Sequence, residues 1–215
     1  VHRLDRHPTM SRHPVTPMGE SDLRLHLARQ TARRIELIDL VTLKAGQGDA
    51  ALLAHMGDDV PVVMLDVVDE DTLAEAGRAV RSHGLALAYH NHDYEFVPFA
   101  DGATPFDLLL RETDPADVRL ELDVYWVAKG GLDPVRCLRD NAARIALLHL
   151  KDLGRNGETV ELGAGVLALE PIVRTALAIG TKHLFVEQDD SADPLESIGT
   201  SRRFLEGLPA DVRPR

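Results

Sequence analysis

Leu85–His92 reads LALAYHNH, and three later stretches repeat its design: Arg119–Trp126 (RLELDVYW), Ile145–Asp152 (IALLHLKD) and His183–Asp190 (HLFVEQDD). Each is an apolar run ending in a side chain able to hold a metal, with His90, Asp123, His149 and Glu187 as the candidate ligands. Gaps of 33, 26 and 38 residues separate them, and each gap fits at least one strand-plus-helix unit. A parallel β/α barrel builds a site in this way, because successive strands deliver side chains to one shared rim.

Strand parity supports the same reading, since residues two apart share a face. His90 pairs with His92, His149 with Lys151 and Glu187 with Asp189, while Asp123 shares its face with Glu121 and Tyr125. Any single strand end can carry polar residues for solubility alone. Four in succession, all drawn from His, Asp and Glu, point to a site.

Working outward, 44% hydrophobic content in 215 residues can bury the core of one domain. A net charge of −11 argues against a general electrostatic grip on nucleic acid. The single cysteine, Cys137, precludes an internal disulfide and reads as a buried thiol in a helical pattern. No apolar run reaches the roughly 18 residues of a membrane span, and no secretion signal opens the chain, so a cytoplasmic location is expected.

Residues 1–34 hold seven Arg, three acidic residues and four of the ten His, whereas the remainder carries 17 basic and 32 acidic residues. We therefore expect an atypical, partly disordered segment over 1–34, with a short helix from Ser21 to Arg34, and a barrel domain over 35–215. IELIDLVT and VPVVMLDVV read as strands around the helical LKAGQGDAALLAHMG. Thr104-Pro105, Asp133-Pro134 and Asp193-Pro194 each combine a helix cap with proline at the first helical position, and Glu196 completes a capping-box pattern. Six strands and a weaker seventh near TVELGAG emerge, fewer than a closed barrel of about 250 residues requires. The expected fold class is α/β, a (β/α)8 TIM barrel incomplete on its N-terminal side.

The ordered strings YHNHDYEF, LDVYWVAKGG, HLKD, the E-x-G-x-G segment Glu161–Gly165, VEQDD and DPLES resemble the sugar phosphate isomerase/epimerase family with its xylose isomerase-like barrel. The resemblance runs from about Gly84 to Leu205. Relatives extend further at the N-terminus, which implies that early barrel strands are missing here. It also implies one divalent metal ion, Mn, Zn, Co or Mg, held by His90, Asp123, His149 and Glu187, with His90 where many relatives carry Glu. Glu95 is an alternative source of that carboxylate.

The implied chemistry is proton abstraction next to a carbonyl of a sugar, keto-sugar or cyclitol, leading to isomerisation, epimerisation or dehydration. Glu187 and His92 are then the base candidates, followed by Glu95. Lys151 would stabilise an oxyanion or hold a substrate oxygen, unless it simply pairs with Asp152 or Asp189. Tyr125 and Trp126 could wall a sugar ring, or merely pack. The expected partner is a small sugar derivative, with no nucleic acid and no membrane, and a homodimer is left open. The rival readings are a truncated or non-catalytic sugar-binding barrel and, more weakly, an endonuclease IV-like nuclease.

Overall fold

The computed structural model describes residues 4–6, 8, 10–12, 19–56 and 62–214. The expectation of poor order over residues 1 to about 20 falls largely outside them. The chain divides into two compact units, Val1–Leu85 and Ala86–Arg215. This division falls after Leu85, and the boundary expected at Arg34 lies inside the first unit.

In the first unit, α1 (Leu23–Leu27) is capped by Asp22 and covers only five residues of the longer helix expected. Strand β1 (Ile35–Ile38) ends where the Asp39 carboxylate accepts the Thr42 N–H at 2.8 Å and opens α2 (Leu40–Lys44). IELIDLVT is therefore half strand and half helix. Gly46, at φ 67°, separates α2 from α3 (Gly48–His55), a conformation that disfavours any side chain. Strand β2 (Val62–Leu65) lies parallel to β1, with Ile35 beside Val62 and Ile38 beside Leu65. Helix α4 (Glu70–Ser82) starts in a reciprocal capping box between Asp69 and Thr72. Ile38, Leu43, Leu52 and Ala76 are buried in this unit.

The second unit contains β3 (Leu87–His90), α5 (Pro105–Glu112), β4 (Val118–Asp123), α6 (Val124–Lys129), α7 (Pro134–Asp140) and β5 (Ile145–Leu150). It continues with β6 (Asp152–Leu153), β7 (Thr159–Val160), α8 (Leu169–Ala178), β8 (His183–Val186) and α9 (Pro194–Gly207). Strands β3, β4, β5 and β8 form one parallel sheet in that order. Val118, Leu120, Leu122, Leu148 and Leu150 are essentially inaccessible and form the core on one face. Alternation then assigns Glu121, Asp123, Leu147 and His149 to the other face.

The weak seventh strand is real but differs from expectation, because β7 pairs antiparallel with β6 instead of joining the parallel sheet. Six parallel strands remain among the described residues. The three proline-started helices are capped as expected by Thr104, Asp133 and Asp193. At the last, Asp193 accepts the Glu196 N–H, but the Glu196 carboxylate turns to Arg203, so only half of the capping box is made. No helix among the described residues is long and apolar enough to cross a membrane.

Buried Arg144 ties the helix layer to the sheet. Its guanidinium donates to the carbonyls of Val118, Leu110 and Thr113 and to Thr113 Oγ1 at 2.7–3.2 Å. Removing it strands several buried acceptors. Arg144→Leu is expected to lower unfolding free energy by about 2–4 kcal/mol, read as a reduced urea midpoint with an unchanged denaturant slope.

Cys137 is buried on α7, and desolvation pushes its thiol up to about 11. At pH 8 the thiolate fraction is then on the order of 10⁻³, so a disulfide reagent should label the native protein very slowly and the urea-unfolded protein at once.

Candidate metal centre

His90 ends β3, Asp123 ends β4, His149 stands on β5 beside Asp123, and Glu187 follows β8 directly. One ligand atom from each lies within 4.8 Å of the others. The four strand ends thus bring together the four residues that parity and spacing single out. All of them come from the second unit.

Asp123 has two different oxygens. Oδ1 accepts the backbone N–H groups of Tyr125 (2.9 Å) and Trp126 (3.2 Å) and caps α6, while buried Oδ2 has no hydrogen-bond partner. His90 Nε2 and Lys151 Nζ each stand 3.6 Å from Oδ2. Asn91 fixes this aspartate in place, its Oδ1 accepting the Asp123 N–H at 2.9 Å and its Nδ2 donating to the Asp123 carbonyl at 3.3 Å. A buried carboxylate oxygen without a hydrogen bond is costly unless a cation completes it, and two imidazoles with two carboxylates are residue types able to hold a divalent ion.

His149 lies between two carboxylates, with Nδ1 2.7 Å from Glu187 Oε2 and Nε2 2.9 Å from Glu121 Oε1. Fully buried Lys151 reaches Asp189 at 2.7 Å, Glu187 at 3.3 Å and Asp123 at 3.6 Å. Burial disfavours its charge, but the bond it donates to Asp189 and the fields of Asp123 and Glu187 outweigh that and raise its pKa. Burial likewise opposes ionisation of Glu187, and His149 and Lys151 outweigh it and hold the carboxyl below its usual value. The Asp123 carboxylate raises the pKa of His90 against the effect of burial. The three directions agree in reporting close pairing of carboxylates with the cationic side chains around them.

Other expected participants are placed differently. Glu95 is buried and bound elsewhere, accepting the Tyr89 hydroxyl at 2.8 Å and the His92 N–H at 2.9 Å, so it does not join the four ligands. Tyr89 and His90 alternate on β3, which explains why Glu95 serves the opposite face. His92 is beside the centre, its ring 5.3 Å from that of His90 and 5.2 Å from that of Trp126, and its buried Nδ1 has no partner. Tyr125 and Trp126 are helical, because Asp123 ends the strand and caps α6. Tyr125 is 2% exposed and donates its hydroxyl to the Gly157 carbonyl, so it cannot present a face to a ligand. Trp126 remains half-buried, with the Lys151 ammonium 5.2 Å from its ring.

Lys151 pairs with Asp189 and not with Asp152, whose carboxylate is committed to the backbone. It accepts the N–H groups of Leu153, Gly163, Gly165 and Leu167 at 2.8–3.2 Å. That explains the E-x-G-x-G string, since a Cβ at Gly165 would overlap Asp152 Oδ1 and Gly163 has φ 86°. Glu121 is the residue whose role the sequence reading missed, although its shared parity with Asp123 was the available signal.

Comparison with known proteins separates two likenesses. Residues 1–89 match the Sugar-binding N-terminal domain family. Over 90 residues the chain is 67% identical to a 3-oxo-isoapionate kinase from Paraburkholderia graminis, covering 40% of this chain and 19% of that protein. Over 158 residues it is 27% identical to an inosose dehydratase from Bacillus anthracis, covering 63% of this chain and 52% of the relative. The chain therefore spans about half the length, or less, of these curated relatives.

Among solved structures, a sugar phosphate isomerase/epimerase from Parabacteroides distasonis has a TM-score of 0.58 at 27% identity, covering 79% of this chain and 65% of that one. A probable 3-DHS dehydratase from Bacillus anthracis shares the fold, with a TM-score of 0.53 at 14% identity over 82% of this chain and 77% of its own. The chain thus resembles sugar phosphate isomerase/epimerase proteins in its xylose isomerase-like barrel architecture, here with a partial set of strands. Residues 35–83, expected to open the barrel, fall within the match to the sugar-binding family.

Proposed function

We propose that residues 86–215 form the metal-holding part of an enzyme that removes a proton next to a carbonyl of a keto-sugar or keto-cyclitol, leading to isomerisation, epimerisation or dehydration. The observation that carries this reading is the buried Oδ2 of Asp123, which makes no hydrogen bond and is answered only by ion pairs at 3.6 Å, within a group that also contains His90, His149 and Glu187. The likeness to inosose dehydratases and to a sugar phosphate isomerase/epimerase favours a carbonyl-bearing polyol as substrate.

His90, Asp123, His149 and Glu187 would hold the divalent ion. When bound, it supplies Lewis acidity for a substrate carbonyl. The protein's part is to move the proton and stabilise charge. The Lys151 ammonium, buried and held by Asp189, would stabilise a developing oxyanion in a water-poor setting. His92, whose Nδ1 makes no hydrogen bond, and Glu187 are the two groups we assign to take or return a proton. Half-buried Trp126 is the remaining aromatic surface for a sugar ring face.

A second reading, sugar binding without turnover, draws on the first unit. A cavity of about 830 Å³, lined in part by Glu20, Asp22, Arg24, Leu37, Met64 and Asp66, lies within residues that match the sugar-binding family. That volume leaves ample room for a sugar-sized ligand. The nuclease reading draws no support from one four-residue ligand group among the described residues and a net charge of −11.

Elemental analysis of the purified protein should find about one divalent ion per chain, lost in both His149→Ala and Glu187→Ala. Metal-free wild-type protein that is folded would reject the catalytic reading.

Turnover is tested by incubating the metal-loaded protein with an inosose in D2O and following loss of the proton next to the carbonyl by NMR. His92→Gln should retain the metal and slow exchange by about 10²-fold or more, whereas Glu187→Gln should lose both metal and exchange. Binding of the inosose with no exchange by the wild type would favour the second reading.

A further inference from the structure

We propose that Glu121 is a positioning residue that sets the tautomer of His149 and thereby makes Nδ1 the atom that binds the cation. This rests on the metal-site reading above and adds which imidazole nitrogen binds and what orients it. Glu121 precedes Asp123 by two residues on β4 and stands in register with His90 on β3 and Leu147 on β5, so its side chain projects from the ligand-bearing face. Its Oε1 is 2.9 Å from His149 Nε2, and the other ring nitrogen, Nδ1, faces Glu187 Oε2 at 2.7 Å.

A neutral imidazole has one N–H and one lone pair. If Nε2–H is donated to Glu121, the lone pair is on Nδ1, on the side where Glu187 lies. The reverse tautomer would set a lone pair against the Glu121 carboxylate and an N–H against the cation. Glu121 itself is outside the four-residue ligand group, so its contribution passes through the ring. A carboxylate on the remote nitrogen of a metal-bound histidine fixes ring orientation and increases ligand basicity, and loss of such a partner typically weakens metal binding about 10–100-fold.

The test is Co²⁺ titration by calorimetry of the wild type, Glu121→Ala and Glu121→Gln, with ¹⁵N NMR of His149 in the cobalt-free and Zn²⁺-loaded wild type. Glu121→Ala is expected to weaken Co²⁺ binding by about 10–100-fold at unchanged stoichiometry, with Glu121→Gln recovering most of it because its amide oxygen still accepts Nε2–H. The NMR should show the proton on Nε2 in the Zn²⁺-loaded protein. Equal Co²⁺ affinity of wild type and Glu121→Ala would overturn the proposal, as would a proton on Nδ1, a result that stands even if the alanine variant fails to fold. A Glu121→Gln variant as weak as Glu121→Ala would also overturn it, assigning Glu121 to charge or direct ligation. Wild type that binds neither ion would instead reject the metal-site reading itself.

Discussion

The divided carboxylate of Asp123 is the constraint on which the site depends. One oxygen serves the backbone, accepting two N–H groups at the start of α6, and this stops β4 and turns the chain. The geometry that satisfies Oδ1 leaves Oδ2 buried and without a donor. Asn91 prevents relief by movement, because it bonds both the N–H and the carbonyl of the same residue from the neighbouring strand end. Fold and site thus share one side chain, and replacing it would disturb the helix start as well as any bound cation.

Charge completes the argument. Glu121, Asp123, Glu187 and Asp189 surround His90, His149 and Lys151, and Lys151 alone answers three of those carboxylates. An ammonium shared over 2.7–3.6 Å distances compensates each partner only in part. A divalent ion among the four ligands would relieve the remaining repulsion. The aromatic pair beside Lys151 has a mainly structural half, since the Tyr125 hydroxyl is committed to Gly157.

Much of this was legible in sequence because it follows from alternation. The run ending at Asp123 is apolar at Val118, Leu120 and Leu122 and polar at Arg119, Glu121 and Asp123, whereas the runs ending at His90 and His149 turn polar only at their ends. Alternation fails where a polar residue ends the strand by capping a helix. Asp39 and Asp123 both do so, which is why IELIDLVT and RLELDVYW read too long as strands and why Tyr125 and Trp126 were assigned a strand face. Glu95 illustrates a different limit: its nearness in sequence to His90 says nothing of the Tyr89 hydroxyl that it accepts on the other side of the strand.

The division of the chain was the least legible feature. Residues 35–83 contain strands, helices and caps of the same kind as the barrel segments, because any parallel βα unit needs short apolar strands, glycine stops and Asp or Thr caps. Local chemistry therefore reads alike on both sides of Leu85, although residues 1–89 match a sugar-binding family and the strings that resemble sugar isomerases begin near Gly84. What distinguishes the units is which residues share a core, a property of long-range packing. His90, Asp123, His149 and Glu187, together with Asn91, Glu121 and Lys151, all lie after that division, so the candidate ligand group and the contacts that orient it belong wholly to the second unit.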